Sequence, residues 1–175
     1  MRWLLGSLRW AAICALAVGC APSTSSISSK PEVPSAAIEI VPPARPLEAA
    51  IVIRQGSFAR TRAKPGGMLA EFRSVLESAR VFAATLDAAP TDGTDAWQLL
   101  LSAADYGEPN AYTFELQASI VRGKEPIAAY VSKQSARQSG GQLTIGPAEL
   151  GQLAERAIRD VVRQIAQDTE RLSRP

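Results

Sequence analysis

The sequence predicts a small α+β domain in the order β-α-β-β-β-α, with a mostly antiparallel four-stranded sheet and two helices packed on one of its faces. Three observations predict it. An apolar run over Leu47–Arg54 leads into a stripe of helical spacing. Two alternating segments flank the short polar break Arg122-Gly123-Lys124-Glu125. A long amphipathic stripe begins at Gly146-Pro147 and runs almost to the end of the chain.

Taken in order, "LEAAIVIR" (Leu47 to Arg54) is apolar on both alternating faces and reads as a strand buried on two sides. Met68, Phe72, Val75, Leu76 and Ala79 then recur at spacings of four, three, one and three, one face of a helix from about Gly66 to Arg80. "DAWQLLLSA" (Asp95 to Ala103) puts Trp97, Leu99 and Leu101 on one strand face. The clearest alternation is "AYTFELQASIV": Tyr112, Phe114, Leu116, Ala118 and Ile120 face one way, and Thr113, Glu115, Gln117 and Ser119 face water or a partner. The break after it is a hairpin signal, and "PIAAYVSK" returns with Pro126 at the strand start, where proline is tolerated. Pro147 in a first helical turn, with Glu149 behind it, starts the last helix, and Leu150, Leu153, Ala154, Ala157, Ile158, Val161 and Ile165 form its stripe. Its opposite face carries Glu155, Arg156, Arg159, Asp160 and Arg163, with two i to i+4 pairs, Glu155–Arg159 and Arg156–Asp160, and reads as a solvated surface.

These elements occupy residues 47–175; the first 46 are of another kind. Arg2 and Arg9 precede an uncharged apolar run from Trp10 to Gly19, well short of the ~20 residues that a spanning helix needs. Residues 1–19 therefore read as a cleaved signal peptide. Leu16-Ala17-Val18-Gly19-Cys20 resembles the lipobox of bacterial lipoproteins, with Ala17 standing where leucine is more frequent. The resemblance implies cleavage before Cys20 and its acylation, palmitate included, as a membrane anchor. Cys14, the other of the two cysteines, leaves with the signal, so no disulfide can form within the mature chain. Ala21, not aspartate, follows the cysteine. Among Gram-negative lipoproteins this implies sorting to the outer membrane, on its periplasmic face.

Residues 20–46 read as a lipidated tether rich in Ser, Pro and Ala. They hold Pro22, Pro31, Pro34, Pro42, Pro43 and Pro46, half of the twelve prolines, and too little apolar surface to offset their ordering entropy. Coil scaling gives such a tether a reach of roughly 25–30 Å. The apolar patch "AAIEIV" (Ala36 to Val41) is closed in by Pro34 and Pro42, which disfavours a strand. Removing Arg2 and Arg9 takes the basic count from 19 to 17, equal to the 17 Asp and Glu, so the mature chain is neutral. That excludes the basic footprint of nucleic-acid binding and of a polybasic lipid contact.

With no histidine in the chain, the commonest general base and metal ligand is missing, and an acylated Cys20 offers no thiol. Asp87, Asp92 and Asp95 stand close enough to suggest a cation loop, but their spacing is not that of a calcium loop and no bidentate glutamate follows. "TRAKPGG" places Lys64 before the glycines, whereas the phosphate-binding loop has its lysine after them. Asp105, Tyr106, Gly107, Pro109 and Asn110 read as a loop, and Trp97 reads as core. No catalytic, metal or cofactor residue is expected, and Cys20 is the one site residue.

The order of elements resembles the small periplasmic α+β domains of outer-membrane lipoproteins, such as LpoB-like peptidoglycan-synthase activators and auxiliary lipoproteins of lipid-transport systems. The resemblance implies a non-enzymatic binding or assembly accessory whose partner is another envelope protein or glycan. The alternative it implies is a small-ligand or lipid-binding auxiliary with a groove between helices and sheet. Cys20→Ser should leave the chain uncleaved, unlabelled by fatty acid and released from the membrane fraction; a labelled, membrane-bound product would refute the lipobox.

Overall fold

Strand β1 (Leu47–Gln55) buries Ile51, Val52 and Ile53 in succession, but Glu48, Ala50 and Arg54 on the Val52 face are exposed, so the expected strand buried on two sides is dry on one face and only at Val52 on the other. The structure is a computed structural model and describes residues 30–87, 97–138 and 143–174. The chain crosses from β1 to helix α1 (Pro65–Ser78), which starts on its proline and buries Met68, Phe72 and Leu76. Arg80 then adopts φ 50°, the left-handed conformation usually left to glycine after a helix, and turns the chain back. It leads into β2 (Phe82–Leu86), followed by β3 (Trp97–Glu108), β4 (Ala111–Arg122), β5 (Glu125–Arg137), α2 (Pro147–Gln167) and the single turn α3 (Thr169–Leu172).

The class is α+β as expected, but the sheet has five strands in the order β2-β1-β3-β4-β5, and it is mixed. β2 and β3 both run parallel to β1, while β3, β4 and β5 are antiparallel in turn. This corrects the mostly antiparallel four-stranded sheet. The missing strand, β2, is the five residues Phe-Ala-Ala-Thr-Leu; it has no apolar alternation, and alanine favours strands weakly. Pairing with β1 makes it a strand, together with the reversal at Arg80.

Both helices pack on one face of the sheet and against each other, as expected. α2 lies on β4 and β5, and α1 lies on β1 and β2. The dry layer between contains Phe72, Leu99, Leu101, Phe114, Leu116, Ile120, Leu153, Ile158 and Ile165, all fully or almost fully buried. Trp97 joins its margin and meets Phe82 edge-on at 6.2 Å between ring centroids. Two glycines are geometrically required. Gly123 takes φ 61° in the β4–β5 turn, and at Gly56 a Cβ would come within 2.3 Å of Ser102 Oγ. Beyond that point residues 56–60 stay against β3, with Ala103 N donating to Ser57 O at 2.9 Å and Asp105 N to Arg60 O at 2.8 Å.

The stripe of α2 lies in the phase its spacing predicts, since Leu153, Ala154, Ala157, Ile158, Val161 and Ile165 are buried, joined by Val162 and Ala166. Ile158→Ala should therefore cost ~2–5 kcal/mol, read as a drop in thermal midpoint. Arg159→Ala on the exposed side should stay within about 0.5 kcal/mol. A larger loss at Arg159 than at Ile158 would show the phase to be wrong.

Candidate functional site

Helix α2 is fastened to the edge strand β5 by a row of polar side chains one turn apart: Arg156, Asp160, Gln164 and Asp168. Arg156 Nε donates to Gln134 Oε1 at 3.3 Å, and Gln164 Nε2 donates to Asp160 Oδ2 and to the carbonyl of Val131, both at 3.1 Å. Tyr130 Oη donates to Asp168 Oδ2 at 2.7 Å, and Arg171 pairs with the same carboxylate. Asp160 also holds Arg163. Burial pushes the Asp160 carboxyl up, but hydrogen bonds from Arg163, Ser132 and Gln164 outweigh it, and the carboxyl lies below its ordinary value. Burial, followed by the bond to Asp168, raises the Tyr130 phenol far above its ordinary value, so it stays a donor.

Part of the helix surface read as solvated is thus a polar seam. Arg159 does pair with Glu155 as its spacing predicts, at 3.0 Å. The expected Arg156–Asp160 pair does not form, because each finds a partner on or beside β5. A signal was present in the sequence: Ser132 and Gln134 occupy inward positions of β5, opposite four polar residues of α2 at intervals of four.

The stretch before Leu47 also reaches this seam. Glu32 and Arg137 exchange backbone hydrogen bonds of 2.9 and 3.2 Å at the end of β5, Arg156 donates to the carbonyl of Ala36, and Val33 and Ile40 pack against the core. The ladder stops after one bridge because Pro34, next in register, has no N–H to give. "AAIEIV" forms no strand.

Among the described residues, no helix lies on the opposite face of β3, β4 and β5. Register sets out its rows: Tyr106–Thr113–Ser135, Ala104–Glu115–Lys133, Ser102–Gln117–Val131 and Leu100–Ser119–Ala129. Thr113 and Ser135 hydroxyls meet at 2.8 Å, and Lys133 Nζ pairs with Glu115 at 2.9 Å. Tyr106 and Val131, 47% and 41% exposed, are the large apolar side chains open to solvent here. The row Thr113, Glu115, Gln117, Ser119 is where its alternation placed it.

At the end of the sheet, Asp105 Oδ2 accepts from Thr61 Oγ1 (3.1 Å) and Arg62 N (2.8 Å). The Arg62 guanidinium lies 4.9 Å over the Tyr112 ring, donates to its hydroxyl, and reaches the carbonyl of Ile145. Asp105, Tyr106 and Gly107 therefore belong to β3, not to a loop; pairing with Phe114, Thr113 and Tyr112 overrides their turn preference, leaving the turn at Pro109-Asn110. The cluster locks the connection before α1 to the β3–β4 hairpin and leaves Arg62 engaged. Asp87 pairs with Arg73. Asp92, Asp95 and the lipidation residue Cys20 lie outside the described residues. Among the described residues the centre of the helix–sheet interface is filled by Phe72, Phe114, Leu116 and Leu153, and an open cleft lies at its margin between α1 and β2, lined by Leu76, Glu77, Phe82 and Thr85.

The class defined by these features is an α+β domain whose described helices all lie on one face of the sheet. No family model matches the chain, and no curated protein does. Solved structures that it is similar to include a Xanthomonas campestris protein of the DUF330 family, at 14% identity over 78% of this chain and 94% of that one, with a TM-score of 0.47. The PelC dodecamer from Paraburkholderia phytofirmans is similar at 15% identity over 72% and 93%, with a TM-score of 0.41. A minor lipoprotein from Acinetobacter baumannii is similar at 15% over 71% and 91%, with a TM-score of 0.34.

The lowered Asp160 value has a sign. Its contribution is complete above the carboxyl value of the unfolded chain, near ~4, and is lost as pH falls through the lower folded value. Asp160→Asn should cost about 1 kcal/mol at neutral pH and progressively less in acid, by denaturant melts across the range. An equal loss at every pH would refute the charged seam.

Proposed function

We propose that this chain is an envelope lipoprotein, held by lipid on Cys20 at the periplasmic face of the outer membrane, whose domain is a non-enzymatic binding or assembly accessory for another envelope protein or glycan. One observation carries the binding part: the outer face of β3–β5 has, among the described residues, no helix over it and combines hydroxyl and amide side chains with the exposed Tyr106 and Val131. An antiparallel sheet can leave one face to water. A face meant only for water needs no exposed aromatic among its polar residues; a face that meets a partner uses such rings as anchors, with hydroxyls and amides completing its hydrogen bonds. The charges of this face, the paired Glu115 and Lys133 and, in the row at its end, Glu108 and Arg137, cancel, in keeping with the neutral mature chain and with a partner that is not a polyanion.

The anchoring part rests on Leu16-Ala17-Val18-Gly19-Cys20 and on the proline-rich stretch that separates it from the domain. A photo-crosslinking residue at Gln117 of the full chain in intact cells should give a discrete adduct, to protein or to peptidoglycan, that the same residue at Glu155 does not. Adducts from Glu155 alone would move the binding surface to α2 and contradict the assignment.

A further inference from the structure

The sheet has two edges, and they differ in how they are protected. Unpaired strand edges template further pairing, and proteins usually blunt them with charge, proline or a covering segment. β5 has all three: Lys133 and Arg137 along it, Pro126 near its start, and at its far end the backbone bridge to Glu32, while Gln164 occupies the Val131 carbonyl. β2, at the other edge, has none. Phe82–Leu86 contains no charge and no proline, Ala83 and Ala84 are exposed, and among the described residues nothing pairs with its outer side. An open cleft of about 510 Å³, lined by Leu76, Glu77, Arg80 and β2 itself, runs beside it. Such room next to a free edge suits an added strand.

The charges flanking β2 indicate which strand. Arg80 precedes it, exposed and in no ion pair among the described residues, and Asp87 follows it, paired with Arg73 on one side but with a side chain 91% exposed and open to a second cation. A basic residue before an uncharged strand and an acidic one after it form a pattern complementary to itself when the strand is reversed.

We infer that the β2 edge pairs antiparallel with β2 of a second copy of this chain about a two-fold axis through Ala84, making one ten-stranded sheet across the dimer. In this register Ala84 faces Ala84 of the second copy, and Val81 faces Asp87 of the second copy, with Arg80 beside that carboxylate. Symmetry produces the contact twice, and the small alanines let the backbones approach. The guarded β5 edges end the sheet on both sides, so association stops at two. The bare face of β3–β5 remains free in the dimer, so this pairing is independent of Cys20 and of the partner proposed above.

In the full-length chain, Ala84→Cys should form a disulfide-linked dimer under mild oxidation, because directly opposed residues bring Cα atoms to about 4.5–5.5 Å, within disulfide reach. Val131→Cys on β5, and the chain with neither substitution, should not. Arg80→Asp should weaken dimerisation about tenfold by sedimentation, and Arg80→Asp with Asp87→Arg should restore it even though the second change gives up the Arg73–Asp87 pair within the chain, with circular dichroism showing both variants folded. Cross-linking through Val131→Cys in place of Ala84→Cys, a monomer at every concentration, or double-variant affinity no better than that of Arg80→Asp would each overturn the inference.

Discussion

Burial of the α2 stripe on the inner faces of β4 and β5 is the contact on which the rest of this domain depends. Leu153, Ile158, Val161 and Ile165 lie fully buried against a face built from Phe114, Leu116, Ala118 and Ile120. Twenty-one residues of helix at 1.5 Å rise, about 32 Å, cover most but not all of the roughly 40 Å of the twelve- and thirteen-residue strands beneath. Once α2 is seated, the polar row Arg156–Asp160–Gln164–Asp168 falls along the strand edge, where a wholly apolar helix would leave β5 unguarded. The same placement makes α2 a neighbour of α1 and puts both helices on one side, so the outer face of β3–β5 is bare as a direct consequence.

One-sidedness also explains why the two edges of the sheet are unlike. The N-terminal stretch arrives at the β5 end, contributes its bridge at Glu32 and is turned away by Pro34 toward Arg156 and the α2 surface. Among the described residues, nothing comparable reaches β2. The stretch reaches the β2 side only at Pro46, which lines the cleft beside that strand with Leu76, Glu77 and Arg80.

Much of this was legible in the residues. Alternation in "AYTFELQASIV" and the stripe from Leu150 to Ile165 gave the right faces, because a periodicity of two or of 3.6 survives any detail of topology. β2 was not legible: Phe-Ala-Ala-Thr-Leu has no periodicity, and its strand state comes from a parallel partner on the far side of α1 in the chain. The crossover from the first strand through the first helix was legible and does give β1 a parallel neighbour, but it lands on β2, and β3 lies parallel on the other side of β1. Turn formers at Asp105–Gly107 misled because twelve consecutive cross-strand pairs outweigh local preference, and Asp105 is needed there to receive Thr61 and Arg62. The polar seam was half visible, since inward Ser132 and Gln134 should have asked for partners on a facing helix. Cys20, the residue most firmly marked by sequence, lies outside the described residues, so its role stands on the lipobox alone.

Native-state hydrogen exchange tests the central dependence most directly. If α2 and the β3–β5 sheet are one cooperative unit, amides of Leu153–Ala166 should exchange only through the same global opening as those of Phe114–Ile120, with the same free energy and denaturant slope. Exchange of α2 through a separate opening, at markedly lower free energy and with the strands still protected, would contradict it.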